Sequence, residues 1–251
     1  MTPSGPSPLE GWVRGGFSAA GITHDTHRRG TGPCVLVIHE VPGITPEVER
    51  FANEVVERGF TVVMPELFGT PGRASSAPYA IATFARACVA REFTVLATGR
   101  TSPVVAWLRA LARSVHHEVG GAGVGAVGMC FTGGFVLGMM VDESMLAPVV
   151  SQPSLPLPLG AERAASLGLS PDDEAAVVQR AVDGCQVLGL RYEGDRFVGT
   201  RFATLHERLG DAFVSIDLPQ RSATDHSVLT EHRDDASVER VLDFLGERLS
   251  G

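Results

Sequence analysis

The chain has 251 residues, 44% hydrophobic and 20% charged, enough for one large α/β domain or two small ones in an ordinary globular protein. Its 21 Lys and Arg against 29 Asp and Glu give a formal charge of −8 with no basic run, which excludes nucleic acid and anionic membranes as expected partners. The opening MTPSGPSPLEGWVRGG has neither the basic start nor the apolar core of an export signal, and no apolar run reaches the ~18 residues of a membrane span, so a cytoplasmic location is expected.

Residues 1–10 are rich in Pro, Ser and Gly and read as a loose tail. WVRGGFSAAGITHDTHRRGTGP offers one or two short strands. CVLVIHE (34–40) is a continuous apolar run, the mark of a strand buried on both faces. Thr45 and Pro46 then supply an N-cap and a first helical residue. Val48, Phe51, Ala52, Val55 and Val56 follow at helical spacing, and Gly59 closes the helix. FTVVMPELFG (60–69) is the next buried strand, completing a strand–helix–strand unit of a parallel sheet.

The alternation continues with a helix over 104–115, a strand in GVGAVGMC, a helix in FTGGFVLGMMVDE and a strand over 145–152. Residues 153–171 form a Pro/Leu-rich excursion, followed by a short helix in DDEAAVVQRAV. A strand over 185–195, a helix in FVGTRFATLHERLG, a strand over 212–219 and a last helix carrying Val238, Val241, Leu242 and Leu245 complete the chain. One doubly wound domain, a mostly parallel central sheet with helices on both faces, accounts for residues 1–251.

In such sheets, functional groups collect at the carboxyl ends of the strands. Those ends carry His39 and Glu40, then Cys130, then Asp195, and last a loop with His226 in TDHS. Nucleophile, acid, histidine is the chain order of α/β-hydrolases. Gly128-Met129-Cys130 sits at a strand-to-helix junction where a nucleophile elbow belongs, although Thr132 holds a position usually given to glycine. A thiol there faces a helix N-terminus, which favours thiolate. The backbone N–H groups of Phe131 and Val41 are candidates for an oxyanion hole, His226 for the proton carrier and Asp195 for its orienter.

Each residue has a plainer alternative. A cysteine in apolar surroundings is usually core filler, the role expected of Cys34, Cys88 and Cys185. Asp195 in EGDR also suits a turn, and His232 rivals His226. His24, His27, His116, His117 and His206 are expected to face solvent. No CxxC pair or Cys/His spacing suggests a disulfide or a metal, and no cofactor is expected.

The stretches VLVIHEVPGITPEVERFANEVVERGFTVVMPELFG, GAVGMCFTGG, YEGDRFV and DHS resemble the dienelactone hydrolases over about residues 30–230. The resemblance implies an α/β-hydrolase fold and a Cys–Asp–His triad of Cys130, Asp195 and His226. It also implies that Glu40 pairs with the thiol and takes its proton when substrate binds, leaving the resting thiol neutral. The family's typical substrate is a small cyclic enol ester bearing a carboxylate. An arginine would suit that carboxylate; Arg86, Arg91 and Arg100 lie in the right segment, with Arg91 the candidate and His39 a second substrate contact. The expected activity is hydrolysis of small activated lactones or esters through a thioester, by a monomer or homodimer. A broader carboxylesterase or thioesterase, or a hydrolase fold that only binds, are the alternatives.

Overall fold

A computed structural model describes residues 2–93, 99–154 and 160–250. Thr2–Pro6 (β1), expected to be a loose tail, is instead an edge strand antiparallel to Val13–Ala19 (β2), with Thr2 opposite Gly16 and Pro6 opposite Val13. Prolines that weaken a central strand are tolerated at a sheet edge, where no second neighbour asks for an N–H. β2 turns back into Ile22–Arg29 (β3) through Ala20 and Gly21, at φ 51° and 74°, as a two-residue hairpin demands.

Cys34–Ile38 (β4), Pro46–Glu57 (α1) and Thr61–Pro65 (β5) form the expected strand–helix–strand unit. Thr45 caps α1 through a bond from Val48 N to its hydroxyl at 3.4 Å, and Val48, Phe51, Ala52 and Val55 are its buried face. Ala77–Val89 (α2), which the sequence reading did not assign, precedes Pro103–Val119 (α3). Val124–Met129 (β6) runs into a 3₁₀ turn over Cys130–Thr132 and then Gly133–Met139 (α4). Met145–Ser151 (β7) leads to the 153–171 excursion, of which 155–159 lie outside the described residues. The excursion contains Ala161–Ala165 (α5) and ends where Pro171–Val182 (α6) begins. Val187–Tyr192 (β8), Arg201–Leu209 (α7), Phe213–Leu218 (β9) and Asp235–Leu249 (α8) follow.

The described strands form one nine-stranded sheet in the order β1-β2-β3-β5-β4-β6-β7-β8-β9. Pairing is antiparallel from β1 to β5 and parallel from β5 to β9. Side chains of β4 alternate between two cores: Cys34, Leu36 and Ile38 meet Trp107 and Leu111 of α3, while Val35 and Val37 meet Phe51 of α1 and Leu245 of α8. This two-sided burial is why β4 reads as an unbroken apolar run. Each fully buried Val, Leu or Phe contributes about 1.5–3 kcal/mol, so the two layers hold the strand ends rigidly.

Candidate active site

Cys130 is a non-glycine residue at φ 58°, in the left-handed region, directly after β6. Such a conformation costs roughly 1–2 kcal/mol and persists only where neighbours enforce it. Thr132 is one enforcer: its hydroxyl accepts from Met129 N at 2.9 Å and lies 3.1 Å from Ile38 O and 2.7 Å from Met129 O, either of which can take its proton. The threonine standing at a customary glycine position thus clamps the elbow to β4. Ser154 is the other, donating its N–H to Cys130 O at 3.1 Å. Gly128 has no room for a side chain, since a Cβ would lie 2.6 Å from Thr132 O and 2.7 Å from Val136 Cγ2 where the helix crosses the sheet.

Asp195 follows β8 and is buried. One carboxylate oxygen accepts from Phe197 N at 2.9 Å, and the other accepts from His226 Nδ1 at 2.6 Å. That bond fixes the tautomer and leaves Nε2 free to serve the thiol, whose charge also acts on the imidazole. Burial alone would lower the basicity of the imidazole. The negative charge of Cys130, with the hydrogen bond and charge of Asp195, outweighs it and holds His226 well above its ordinary value. Ser154 Oγ donates to Cys130 Sγ at 3.1 Å, and the exposed Phe197 stands edge-on to the imidazole with ring centroids 5.5 Å apart.

The loop carrying His226 is anchored by the buried Val228 and Leu229 and shaped by polar bonds. Asp225 accepts from Arg221 N at 2.7 Å and Ser222 N at 2.9 Å. His232, the rival histidine, accepts at Nδ1 from His226 N at 3.3 Å and Ser227 N at 3.4 Å, while Tyr192 donates its hydroxyl to His232 O. His232 therefore braces the loop rather than facing the thiol.

Glu40 is buried among donors: Gln152 Nε2 at 3.0 Å, Ser227 Oγ at 2.8 Å and the Thr230 hydroxyl. Burial pushes its carboxyl up, against the pull of His226 and the two hydroxyls. These partners tie the end of β4 to the end of β7 and the His226 loop. The pairing of Glu40 with the thiol that the resemblance implies is thus not the arrangement in this structure.

The weaker candidates fare differently. His39 is fully buried, with Nδ1 3.0 Å from Glu40 O and Nε2 accepting from Leu67 N at 3.2 Å, and burial lowers it to about 4. It is a neutral, satisfied core histidine, and its expected contact with substrate is corrected accordingly. Arg91 is exposed in the turn after α2, and Arg100 is also exposed; no contact described at Cys130 or His226 involves either. Arg86 lines a groove of about 440 Å³ with Phe68, Arg73 and Tyr79, and Phe68 stacks on Phe131 at 5.3 Å. Val41 opens the loop after Glu40 and Phe131 lies in the turn after β6; among the described residues neither N–H donates to a protein acceptor.

Sequence reading missed Ser154, Gln152 and Arg201. Gln152 sits at φ 34°, one residue past β7, a strand end that the same carboxyl-edge rule covers. Arg201, the first residue of α7, carries no sequence signal that separates it from a surface arginine, yet it is only 2% exposed. Among the described residues no group of His, Cys, Asp and Glu could hold a metal ion, and no helix is long and apolar enough to cross a membrane.

A strained cysteine after a central parallel strand, with an Asp-bonded histidine beside it, defines the α/β-hydrolase class. The family model of the dienelactone hydrolase family matches residues 20–245, so this chain belongs to that family and is an ester-bond hydrolase. Among solved structures, a cold-adapted esterase from an Arctic intertidal metagenomic library superimposes with a TM-score of 0.65 at 17% identity, covering 99% of this chain and 100% of its own. Dienelactone hydrolase from Anabaena variabilis gives 0.63 at 13% identity over 95% and 98%, and Est1E from Butyrivibrio proteoclasticus 0.61 at 12% over 93% and 98%. At these identities the likeness is one of fold. No curated protein matches the chain.

Proposed function

We propose that the chain hydrolyses small activated esters and lactones through a thioester on Cys130, with His226 as proton carrier and Asp195 as its orienter. The observation that carries this reading is the 2.6 Å bond from His226 Nδ1 to Asp195, with the imidazole under the charge of a cysteine in the strained elbow. The thiolate attacks the carbonyl carbon, and the charge that develops on oxygen is met by the N–H groups of Phe131 and Val41. Collapse breaks the carbon–oxygen bond, and His226 gives its proton to the departing oxygen. His226 then takes a proton from water, which attacks the thioester and releases the acid and the thiolate. Phe197 walls one side of the imidazole. Glu40 acts as a positioning residue through Ser227 and Thr230, holding the His226 loop to the sheet.

A thiolate leaves a tetrahedral intermediate more readily than an alkoxide does, so simple alkyl esters revert to substrate. Enol, phenol or thiol leaving groups shift the balance forward, which makes activated lactones and esters the favoured class. Two observations favour the broader carboxylesterase or thioesterase as a second reading over a lactone specialist: Arg91 is exposed, and Arg86 lies in the groove beside Phe68 rather than at the thiol.

The test is turnover of a carboxylated enol lactone, p-nitrophenyl acetate and a simple alkyl ester by wild type and Cys130→Ala. Preference for the enol lactone, lost with the thiol, supports the family's typical substrate; equal use of all three, equally thiol-dependent, supports the broader esterase. Activity that survives Cys130→Ala overturns the mechanism.

A further inference from the structure

The thiol has a buried cation behind it. Arg201 donates from Nε to Ser166 O at 2.9 Å, from Nη1 to Phe197 O at 3.0 Å and Val198 O at 2.7 Å, and from Nη2 to Arg163 O at 2.6 Å. All four partners are neutral carbonyls. Carbonyls satisfy the N–H groups but not the charge, and a buried charge is ordinarily paired with an opposite one. Among the described residues no carboxylate bonds to this guanidinium. It lines a small cavity with Phe131, Gly134, Pro153, Leu167 and Ser154, and Ser154 is the residue whose hydroxyl donates to Cys130 Sγ.

We propose that the anion Arg201 serves is the Cys130 thiolate, which makes Arg201 a positioning residue that holds the nucleophile ionised from the cavity it shares with Ser154. The inference rests on the proposed role of Cys130. A substrate carboxylate fits poorly as the missing anion: it would want two parallel guanidinium N–H groups, and four of the five are already given to carbonyls. The charges around the thiol explain why a second cation is useful. His226 acts on it electrostatically, with Asp195 bonded behind the imidazole. The thiolate and Asp195 then carry two negative charges against one on His226; Arg201 supplies the second positive charge. Burial lowers Arg201 to about 10, with the negative charge of Cys130 opposing that fall, so it stays cationic at neutral pH.

A purely mechanical role, stitching residues 163–166 and 197–198 together, is separated from this one by reading the thiol directly. Alkylation of Cys130 by iodoacetamide, followed by mass spectrometry of its peptide from pH 5 to 9, reports the thiolate without any substrate. Arg201→Met, which removes the charge, should move the midpoint of that profile up by about one pH unit and slow alkylation about 10-fold at pH values well below the wild-type midpoint. Arg201→Lys keeps the charge but loses most of the carbonyl bonds. It should melt lower yet keep its midpoint within about 0.3 unit. An unmoved midpoint in folded Arg201→Met overturns the proposal. If that variant does not fold, a midpoint in Arg201→Lys that rises with the lost carbonyl bonds overturns it equally. Failure of Cys130→Ala to abolish ester turnover would instead strike the catalytic reading, whatever the alkylation profile shows.

Discussion

Two cysteines lie near opposite ends of neighbouring strands in the parallel part of the sheet. Cys34 begins β4 at the amino end, fully buried, and burial pushes its thiol up to about 12. Cys130 follows β6 at the carboxyl end, half-buried, with a hydroxyl, an imidazole and a buried guanidinium nearby. The side chain is the same; the end of the sheet decides what it can do. At the amino end the strand enters between packed layers and burial dominates the thiol's surroundings. At the carboxyl end the strands give way to loops, and groups from β4, β7, β8 and the last loop converge.

The widest split between the two sites should come from deleting each thiol. Cys130→Ala is expected to lower kcat/KM on activated esters about 10⁴-fold with the melting temperature little changed. Cys34→Ala should leave kcat/KM within about 2-fold while costing about 1 kcal/mol of stability for the lost packing. Paired turnover and urea-unfolding measurements on both variants check this. A large activity loss in Cys34→Ala would break the contrast between the two ends.

Next in size is Asp195, the proposed orienter of His226. Asp195→Asn keeps the shape of the side chain but removes the charge and permits the wrong imidazole tautomer, so kcat should fall about 10³-fold. His232→Gln, two bonds removed from chemistry, should cost under 10-fold. Comparing kcat for the two variants at pH 7 tests whether His226 rather than His232 is the working base; equal losses would reopen that choice.

Much of this was legible in the sequence, for reasons visible in particular residues. Val35, Leu36, Val37 and Ile38 are apolar on both faces because both faces are covered, and the run could be read directly. Cys130 after β6 and Asp195 after β8 could be placed because strand ends are themselves readable, and the Asp195–His226 bond joins two of the residues that reading singled out. What failed was whatever depends on contacts distant in sequence. His27, expected in solvent, is fully buried between the Ser7 hydroxyl at 2.8 Å and Glu66 at 3.2 Å. Thr2–Pro6 looked like a tail because its composition says nothing about a vacant edge on β2. Arg201 was invisible because its partners are main-chain carbonyls, which every sequence has.

A sealed histidine sharpens the contrast in pH dependence. His39, at a strand end like Cys130 but sealed, falls from 6.5 to about 4 on folding. The unfolded chain then binds more protons than the folded one between those values, so stability contributed by neutral His39 is present above pH 6.5 and lost as pH drops toward 4. A shift of that size corresponds to about 3 kcal/mol. Urea unfolding of wild type at pH 7 and pH 4.5, compared with His39→Gln, should show a smaller acid loss in the variant; an identical acid loss would remove His39 as its source.

The smallest expected effect concerns the clamp on the elbow itself. Thr132→Val preserves shape but strips the hydroxyl that accepts from Met129 N and reaches Ile38 O, leaving a buried N–H without its partner. The cost should be about 1–2 kcal/mol of unfolding free energy. Because the same hydroxyl helps hold Cys130 at φ 58°, kcat should fall about 3–10-fold at unchanged KM. Thr132→Ser, which restores the hydroxyl, should recover most of both. Recovery of stability without recovery of kcat would mean that the clamp stabilises the turn but does not set the angle of the nucleophile.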